Sequence, residues 1–124
     1  MDILRPDLLR LTGISKKIGC NGFFVFTFDS DSPEILTCGR MFAPAIGIAE
    51  DPVTGNANGP LGAYIVKHKL IDVPAHSLTF NSKQGEAIGR TGVVEVHIDI
   101  QDSLPVKVRV GGRAVIAFKT EIQI

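Results

Sequence analysis

The sequence predicts an α+β domain in which an antiparallel sheet rolls around one enclosed helix. Three observations carry that expectation. Strand patterns occupy both halves of the chain, about seven in all by composition and period-two alternation. Between them lies one helical stretch, from about Gly55 to Leu70, that is apolar nearly all round, as helices enclosed on every side tend to be. At 124 residues there is length for one core and not for two.

The elements follow in order. Arg5-Pro6-Asp7-Leu8-Leu9-Arg10-Leu11 reads as a short helix, with Pro6 near its first turn and Gly13 as its stop. Phe23 to Phe28 is rich in strand formers, and Asp29 to Pro33 is a turn cluster. Ile35-Leu36-Thr37-Cys38 returns as a strand that continues through Arg40-Met41-Phe42 to Pro44. In the helix that follows, Leu61, Ala63, Tyr64, Ile65, Val66 and Leu70 spread over more than one stripe, so Tyr64, Ile65 and Val66 are expected inside. Pro60 suits a helix that starts near Asn58 and strains one that starts at Gly55. After Asp72-Val73-Pro74 the chain turns β. Ser77 to Phe80 is a strand, and Val94, Val96, Ile98 and Ile100 alternate with Glu95, His97 and Asp99. Val106 to Val110 and Arg113 to Phe118 read as a hairpin closed by Gly111-Gly112.

Composition excludes several function classes. Thirteen basic and thirteen acidic residues cancel, so no general attraction to nucleic acid or anionic membrane is expected. Trp is absent and Tyr64 is the one tyrosine, which leaves little for base stacking. Lys107, Arg109, Arg113 and Lys119 alternate with apolar residues as a solvated strand face does. No run approaches the roughly 18 apolar residues of a membrane span, and the start lacks the layout of a signal peptide. Cys20 and Cys38 make neither a disulfide framework nor a zinc site, and His68, His76 and His97 have no metal-ligand spacing. A cytoplasmic protein with reduced thiols, no metal and no membrane or nucleic-acid partner is the expectation.

The densest chemistry lies in Arg40 to His68. It joins the carboxylates Glu50 and Asp51, the Gly/Asn-rich run Thr54-Gly55-Asn56-Ala57-Asn58-Gly59 and the start of the helix. A helix start offers unpaired N–H groups and the positive end of its dipole, a site for a carboxylate or phosphate. Thr54, Gly55 and Asn56 are the candidate anion cradle, and Asp51 the candidate proton-handling group. The plainer reading makes Thr54 an ordinary N-cap and Asp51 a complement to the dipole. Glu50 reads as structural, hydrogen-bonded to loop amides.

These residues carry a resemblance. Glu50-Asp51-Pro52-Val53-Thr54-Gly55-Asn56-Ala57 closely resembles the EDPVTG-S/N-A signature of the PhzF-like isomerases of phenazine biosynthesis and their relatives. Arg40-Met41-Phe42-Ala43-Pro44 is similar to the family's R-x-F-x-P segment, and Gln84-Gly85 with Gly89-Arg90 to its Q-G-x-x-x-G-R strand pair. Gly111-Gly112 and the strand after it resemble its closing hairpin. The resemblance implies one half of a diaminopimelate epimerase-like fold, with residues 1–124 corresponding to the C-terminal of two similar domains. It further implies cofactor-independent acid/base isomerisation of a small cyclic amino/hydroxy carboxylic acid in the cleft between domains. Asp51 is then the catalytic carboxylate, while Thr54, Gly55 and Asn56 bind the substrate's carboxylate. The N-terminal domain, with the family's catalytic Glu and C-G-H motif, is expected to be absent, because Cys38-Gly39 runs into Arg40. The implied partners are a small-molecule carboxylate and either a second copy or a separate N-terminal-domain polypeptide. Met41, Phe42, Pro44, Ile46 and Ile48 are expected to be exposed on the uncovered face. A reading of a different class is a non-catalytic, carboxylate-binding or self-associating module.

Overall fold

The computed structural model describes residues 3–123. Its elements are α1 (Leu8–Ile18), β1 (Phe23–Thr27), β2 (Ile35–Ala43), β3 (Ile48–Asp51), α2 (Gly55–His68), β4 (Ser77–Gln84), β5 (Gly92–Gln101) and β6 (Leu104–Gly112), with 3₁₀ turns at Pro44–Ile46 and Glu86–Ile88. The strands form one sheet in the order β1-β2-β4-β5-β6, and β3 pairs with β2 off that path. The class is α+β, as the patterns predict.

The sheet is antiparallel except where β2 and β4 run parallel. That pair corrects the all-antiparallel expectation. Parallel neighbours need a long crossover, and the excursion through β3 and α2 supplies it. Thr37 and Ser82, both fully buried, meet across the pair, with Thr37 Oγ1 donating to Ser82 Oγ at 2.9 Å.

The core lies between α2 and the sheet. Leu61, Ile65 and Val66 of α2 pack with Leu78 and Phe80 of β4 and Val94, Val96, Ile98 and Ile100 of β5. Gly62 permits the approach, since a Cβ there would stand 2.7 Å from both Ile98 and Val96 side chains. Contact falls on one side of the helix, and Tyr64, predicted inside, is 48% exposed with its ring tilted over His68. Apolar character all round the helix therefore exceeds what this sheet covers. α2 also begins at Gly55 and holds Pro60 within it, so the carbonyl of Asn56 loses its N–H partner four residues on.

Two further expectations shift. α1 runs through Gly13 to a left-handed Gly19, and Asp7 caps it by accepting from Arg10 N–H at 2.9 Å. The last hairpin turns at Asp102 and Ser103, both at positive φ, and joins β5 to β6. Gly111-Gly112 instead closes β6, and residues 113–123 follow without strand pairing.

On the outer face, Arg109 grips Asp99 with bonds of 2.8 and 2.6 Å, and His97 Nε2 approaches the same carboxylate at 2.9 Å. An ionised carboxylate only accepts, so His97 donates from Nε2, and Nδ1 accepts from Thr79 Oγ1 at 2.6 Å. Arg109 first, and then His97, hold the Asp99 carboxyl below its ordinary pKa. A lowered folded-state pKa stabilises the fold above the ordinary Asp range, and the contribution is lost as pH falls through the folded value. Arg109→Gln should move the Asp99 titration upward, toward the unperturbed range, when its carboxyl carbon is followed by NMR. An unmoved titration would sink this assignment.

Candidate functional site

One edge of β2 assembles the site. Its first half accepts β4 in parallel, with Gly39 beside Gln84, and its second half accepts β3 antiparallel, with Met41 beside Asp51. The C-terminal ends of β3 and β4 therefore converge on positions two residues apart on one strand. Asp51 leads into the loop that opens α2, and Gln84 is placed to hold that loop.

Gln84 is 1% exposed and all its polar capacity goes to this loop. Its Nε2 donates to the Asp51 carbonyl at 2.6 Å and to Thr54 Oγ1 at 3.0 Å. Its Oε1 accepts from Thr54 N–H at 3.2 Å and Asn58 Nδ2 at 3.0 Å. Asn58, fully buried, also donates from Nδ2 to the Thr54 carbonyl at 2.9 Å, and its buried Oδ1 has no hydrogen-bond partner among the described residues. Gly85 lets β4 turn away at once. Its φ is +86°, and a Cβ would stand 2.3 Å from the Arg90 carbonyl oxygen and 2.8 Å from that of Pro52. Gln84 to Arg90 is thus a tight turn around Glu86–Ile88 that props the Asp51 loop, where the sequence suggested a strand pair.

The four predicted site residues come together. The Thr54 hydroxyl donates to Asp51 Oδ2 and accepts from Gln84, so a directed chain runs from a buried amide to the carboxylate. Thr54 sits at the N-cap position of α2 but gives no side-chain cap. Its hydroxyl is committed to Asp51, which displaces the plain capping reading. The N–H groups of Gly55 and Asn56 fall in the first turn, where no intrahelical acceptor exists. Gly55 and Gly59 serve close packing, lying against Val110 and Val108 of β6. Asp51, Thr54 and Gly55 are half-buried and Asn56 is exposed, so the arrangement is an open ledge. Chemically, it offers a carboxylate with one oxygen already engaged beside two donors at the positive end of a dipole.

Glu50 points elsewhere. It takes Arg40 in a two-pronged pair, Nε to Oε1 at 2.9 Å and Nη2 to Oε2 at 2.8 Å, with both side chains buried. Arg40 Nη1 also donates to the Leu4 carbonyl at 2.9 Å, and its guanidinium lies 5.0 Å from the Phe42 ring centroid. Glu50 is structural, as read, but its partner is Arg40 rather than loop amides. Of the face expected to be bare, Phe42 is buried at 2%, and Met41 and Pro44 are half-buried. Ile46 and Ile48 are exposed as anticipated. Gln84 and Asn58 are the site residues that sequence reasoning missed.

Comparison with known proteins gives this geometry its context. The family described as Phenazine biosynthesis-like protein (PhzC-PhzF) matches residues 1–120. The chain belongs to this family. An uncharacterized isomerase of Clostridium acetobutylicum is 54% identical over 119 residues, covering 96% of this chain and 39% of that protein. The uncharacterized isomerase YddE of Escherichia coli K12 is 54% identical over 121 residues, covering 98% and 40% respectively. The chain thus spans about two-fifths of the length of these PhzF-like relatives. The trans-2,3-dihydro-3-hydroxyanthranilate isomerase of Pseudomonas chlororaphis is 33% identical over 76 residues, covering 61% of this chain and 26% of its own length. Among solved structures, a Bacillus anthracis phenazine biosynthesis protein of the PhzF family superposes with a TM-score of 0.70 at 22% identity, covering 89% of this chain and 41% of that one. That likeness shows the fold, consistent with one half of the diaminopimelate epimerase-like architecture.

Proposed function

We propose that the chain supplies one half of a cofactor-independent PhzF-like isomerase that moves a proton on a small cyclic amino/hydroxy carboxylic acid. The observation that carries this reading is the Asp51 carboxylate, held on one oxygen by Thr54 at the start of α2. In this scheme Oδ1 of Asp51 faces the substrate as proton carrier, while Gly55 and Asn56 N–H groups receive the substrate carboxylate. Helix-start donors favour the anion, and general acid–base transfer typically contributes roughly 10²–10⁴-fold. The substrate class follows the name of the Pseudomonas chlororaphis relative. The second proton-transfer group, a glutamate by resemblance to the family, belongs to the half of the family fold that lies outside residues 1–124, which stand for the C-terminal domain. The open ledge agrees with that, since such catalysis needs enclosure from water. Two free thiols and the family's chemistry suit a cytoplasmic setting, and among the described residues no helix is long and apolar enough to cross a membrane.

The test has two parts. The pure 124-residue chain should not turn over trans-2,3-dihydro-3-hydroxyanthranilate, whereas a mixture with the separately expressed part of YddE outside the matched two-fifths should. Asp51→Asn in that mixture should then lose activity by about 10²-fold or more. Turnover by the chain alone that vanishes in Asp51→Asn would show that one domain suffices. Undiminished activity of the variant mixture would remove Asp51 from the mechanism.

A further inference from the structure

Among the described residues, Asn58 Oδ1 is the one buried side-chain oxygen or nitrogen without a hydrogen-bond partner. Asn58 is the fourth residue of α2 and fully buried. Both hydrogens of its Nδ2 are committed, to the Thr54 carbonyl at 2.9 Å and to Gln84 Oε1 at 3.0 Å. Turning the amide over would only set Oδ1 against those two acceptors. Neither acceptor depends on Asn58. The Thr54 carbonyl also takes the N–H groups of Ala57 at 3.2 Å and of Asn58 itself at 3.1 Å, and Gln84 Oε1 takes Thr54 N–H at 3.2 Å. A carbonyl oxygen has two lone pairs, so the side-chain bond to Thr54 is surplus. The Asn58 carboxamide therefore satisfies nothing that would otherwise go without, and it buries an oxygen that does go without. Such a group costs stability. Asn is also a poorer helix former than Leu or Ala.

We propose that Asn58 is a positioning residue for Asp51: its amide ties Thr54 and Gln84 together so that the Thr54 hydroxyl stays aimed at Asp51 Oδ2, at the expense of stability. The proposal rests on the catalytic reading of Asp51 given above. The sense of every bond in the chain is fixed by backbone groups with one role each. Thr54 N–H can only donate and the Asp51 carbonyl can only accept, so Gln84 presents Oε1 to the first and Nε2 to the second. Nε2 then also meets Thr54 Oγ1, which gives its own proton to Asp51 Oδ2. The bond from Thr54 N–H is the longest of the four that Gln84 makes, and Asn58 adds a second donor to the same oxygen from within α2. Bonds in such a chain strengthen one another in a low-dielectric interior. With Oδ2 occupied in this fixed sense, Oδ1 is the oxygen presented for proton transfer, a step that depends steeply on placement. A residue that orders a site while lowering stability is a recurrent feature of functional sites.

Asn58→Leu, close in shape, and Asn58→Ala, which cannot overcrowd the site, separate positioning from packing. At least one of them should match or exceed the parent's urea midpoint. Three-bond couplings to the Thr54 methyl carbon, measured on the chain alone, should report one χ1 rotamer in the parent and averaging in both variants. Mixed with an excess of the part of YddE outside the matched two-fifths, each variant should turn over trans-2,3-dihydro-3-hydroxyanthranilate with kcat down about tenfold and KM within about twofold of the parent. A small misplacement of the proton carrier slows transfer more than it weakens binding. A midpoint lowered in both variants would make Asn58 an ordinary core amide and overturn the proposal, as would an unchanged kcat or a Thr54 held in one rotamer throughout. An inactive parent mixture, or an Asp51→Asn mixture at full rate, would instead sink the catalytic reading, while the Thr54 couplings still decide the positioning.

Discussion

Glu50→Leu should destabilise the chain by about 3–5 kcal/mol, the typical cost of removing one partner from a buried ion pair. Such a loss is a large share of the roughly 5–15 kcal/mol that holds a domain folded. The size follows from the geometry. Side-chain exposure is 8% for Arg40 and 9% for Glu50, so the guanidinium left behind has little water to turn to. Arg40 keeps its bond to the Leu4 carbonyl and its place over Phe42, which hold the guanidinium inside rather than letting it swing out. Arg40→Lys should also cost stability, because an ammonium cannot reproduce the two-pronged geometry. The double variant Arg40→Met/Glu50→Leu should recover much of the loss, since well-packed apolar residues often replace buried pairs at little cost. Urea midpoints for the three variants and the parent decide it. A cost below about 1 kcal/mol for Glu50→Leu is the value for solvated surface pairs and would refute the buried assignment.

The same pair is half legible in the sequence: Glu50 reads as structural, but its partner is Arg40 rather than loop amides. Arg40, Phe42, Pro44, Glu50 and Asp51 lie within one short stretch, and their roles depend on local geometry: a strand, a 3₁₀ turn at Pro44–Ile46, and a returning strand. Adjacent positions on such a hairpin alternate faces, which sends Glu50 to Arg40 and lets Asp51 meet Thr54. Local rules fail where the answer lies across the sheet. Gln84 is 33 residues from Asp51, and nothing in its neighbourhood announces that β4 ends where β3 ends. Gly111-Gly112 is the stronger turn signal, yet the chain turns at Asp102 and Ser103, both at positive φ, and residues 113–123 make no strand pairing that would complete a hairpin at the glycines. Helix composition predicts Tyr64 inside, but burial depends on how many sides the sheet covers. Each miss concerns a contact set by tertiary packing, where propensity gives way to it.

Gln84 therefore offers the sharper test of how the site is held. Gln84→Leu removes the acceptor of Thr54 N–H and the donor to the Asp51 carbonyl and Thr54 hydroxyl. A buried group left unpaired costs about 1–3 kcal/mol, and these groups are half-buried, so a loss of that order is expected. Gln84→Glu keeps the shape and the acceptor but turns the donor into a second acceptor. A glutamate oxygen would then face the Asp51 carbonyl oxygen and the Thr54 hydroxyl, which already gives its proton to Asp51. If the chain of bonds runs from Gln84 through Thr54 to Asp51, Gln84→Glu should disturb the Thr54 and Asp51 amide resonances as strongly as Gln84→Leu does. Gln84→Asn, which keeps the donor on a shorter arm, should restore them in part. Thr54→Ser should leave the relay intact, and Thr54→Val should break its last link while sparing the Gln84 bond to the Asp51 carbonyl. Two-dimensional amide spectra of the five variants separate these outcomes. Equal, small perturbations throughout would mean that Gln84 only fills space, and that the Asp51 loop stands by its own turn chemistry.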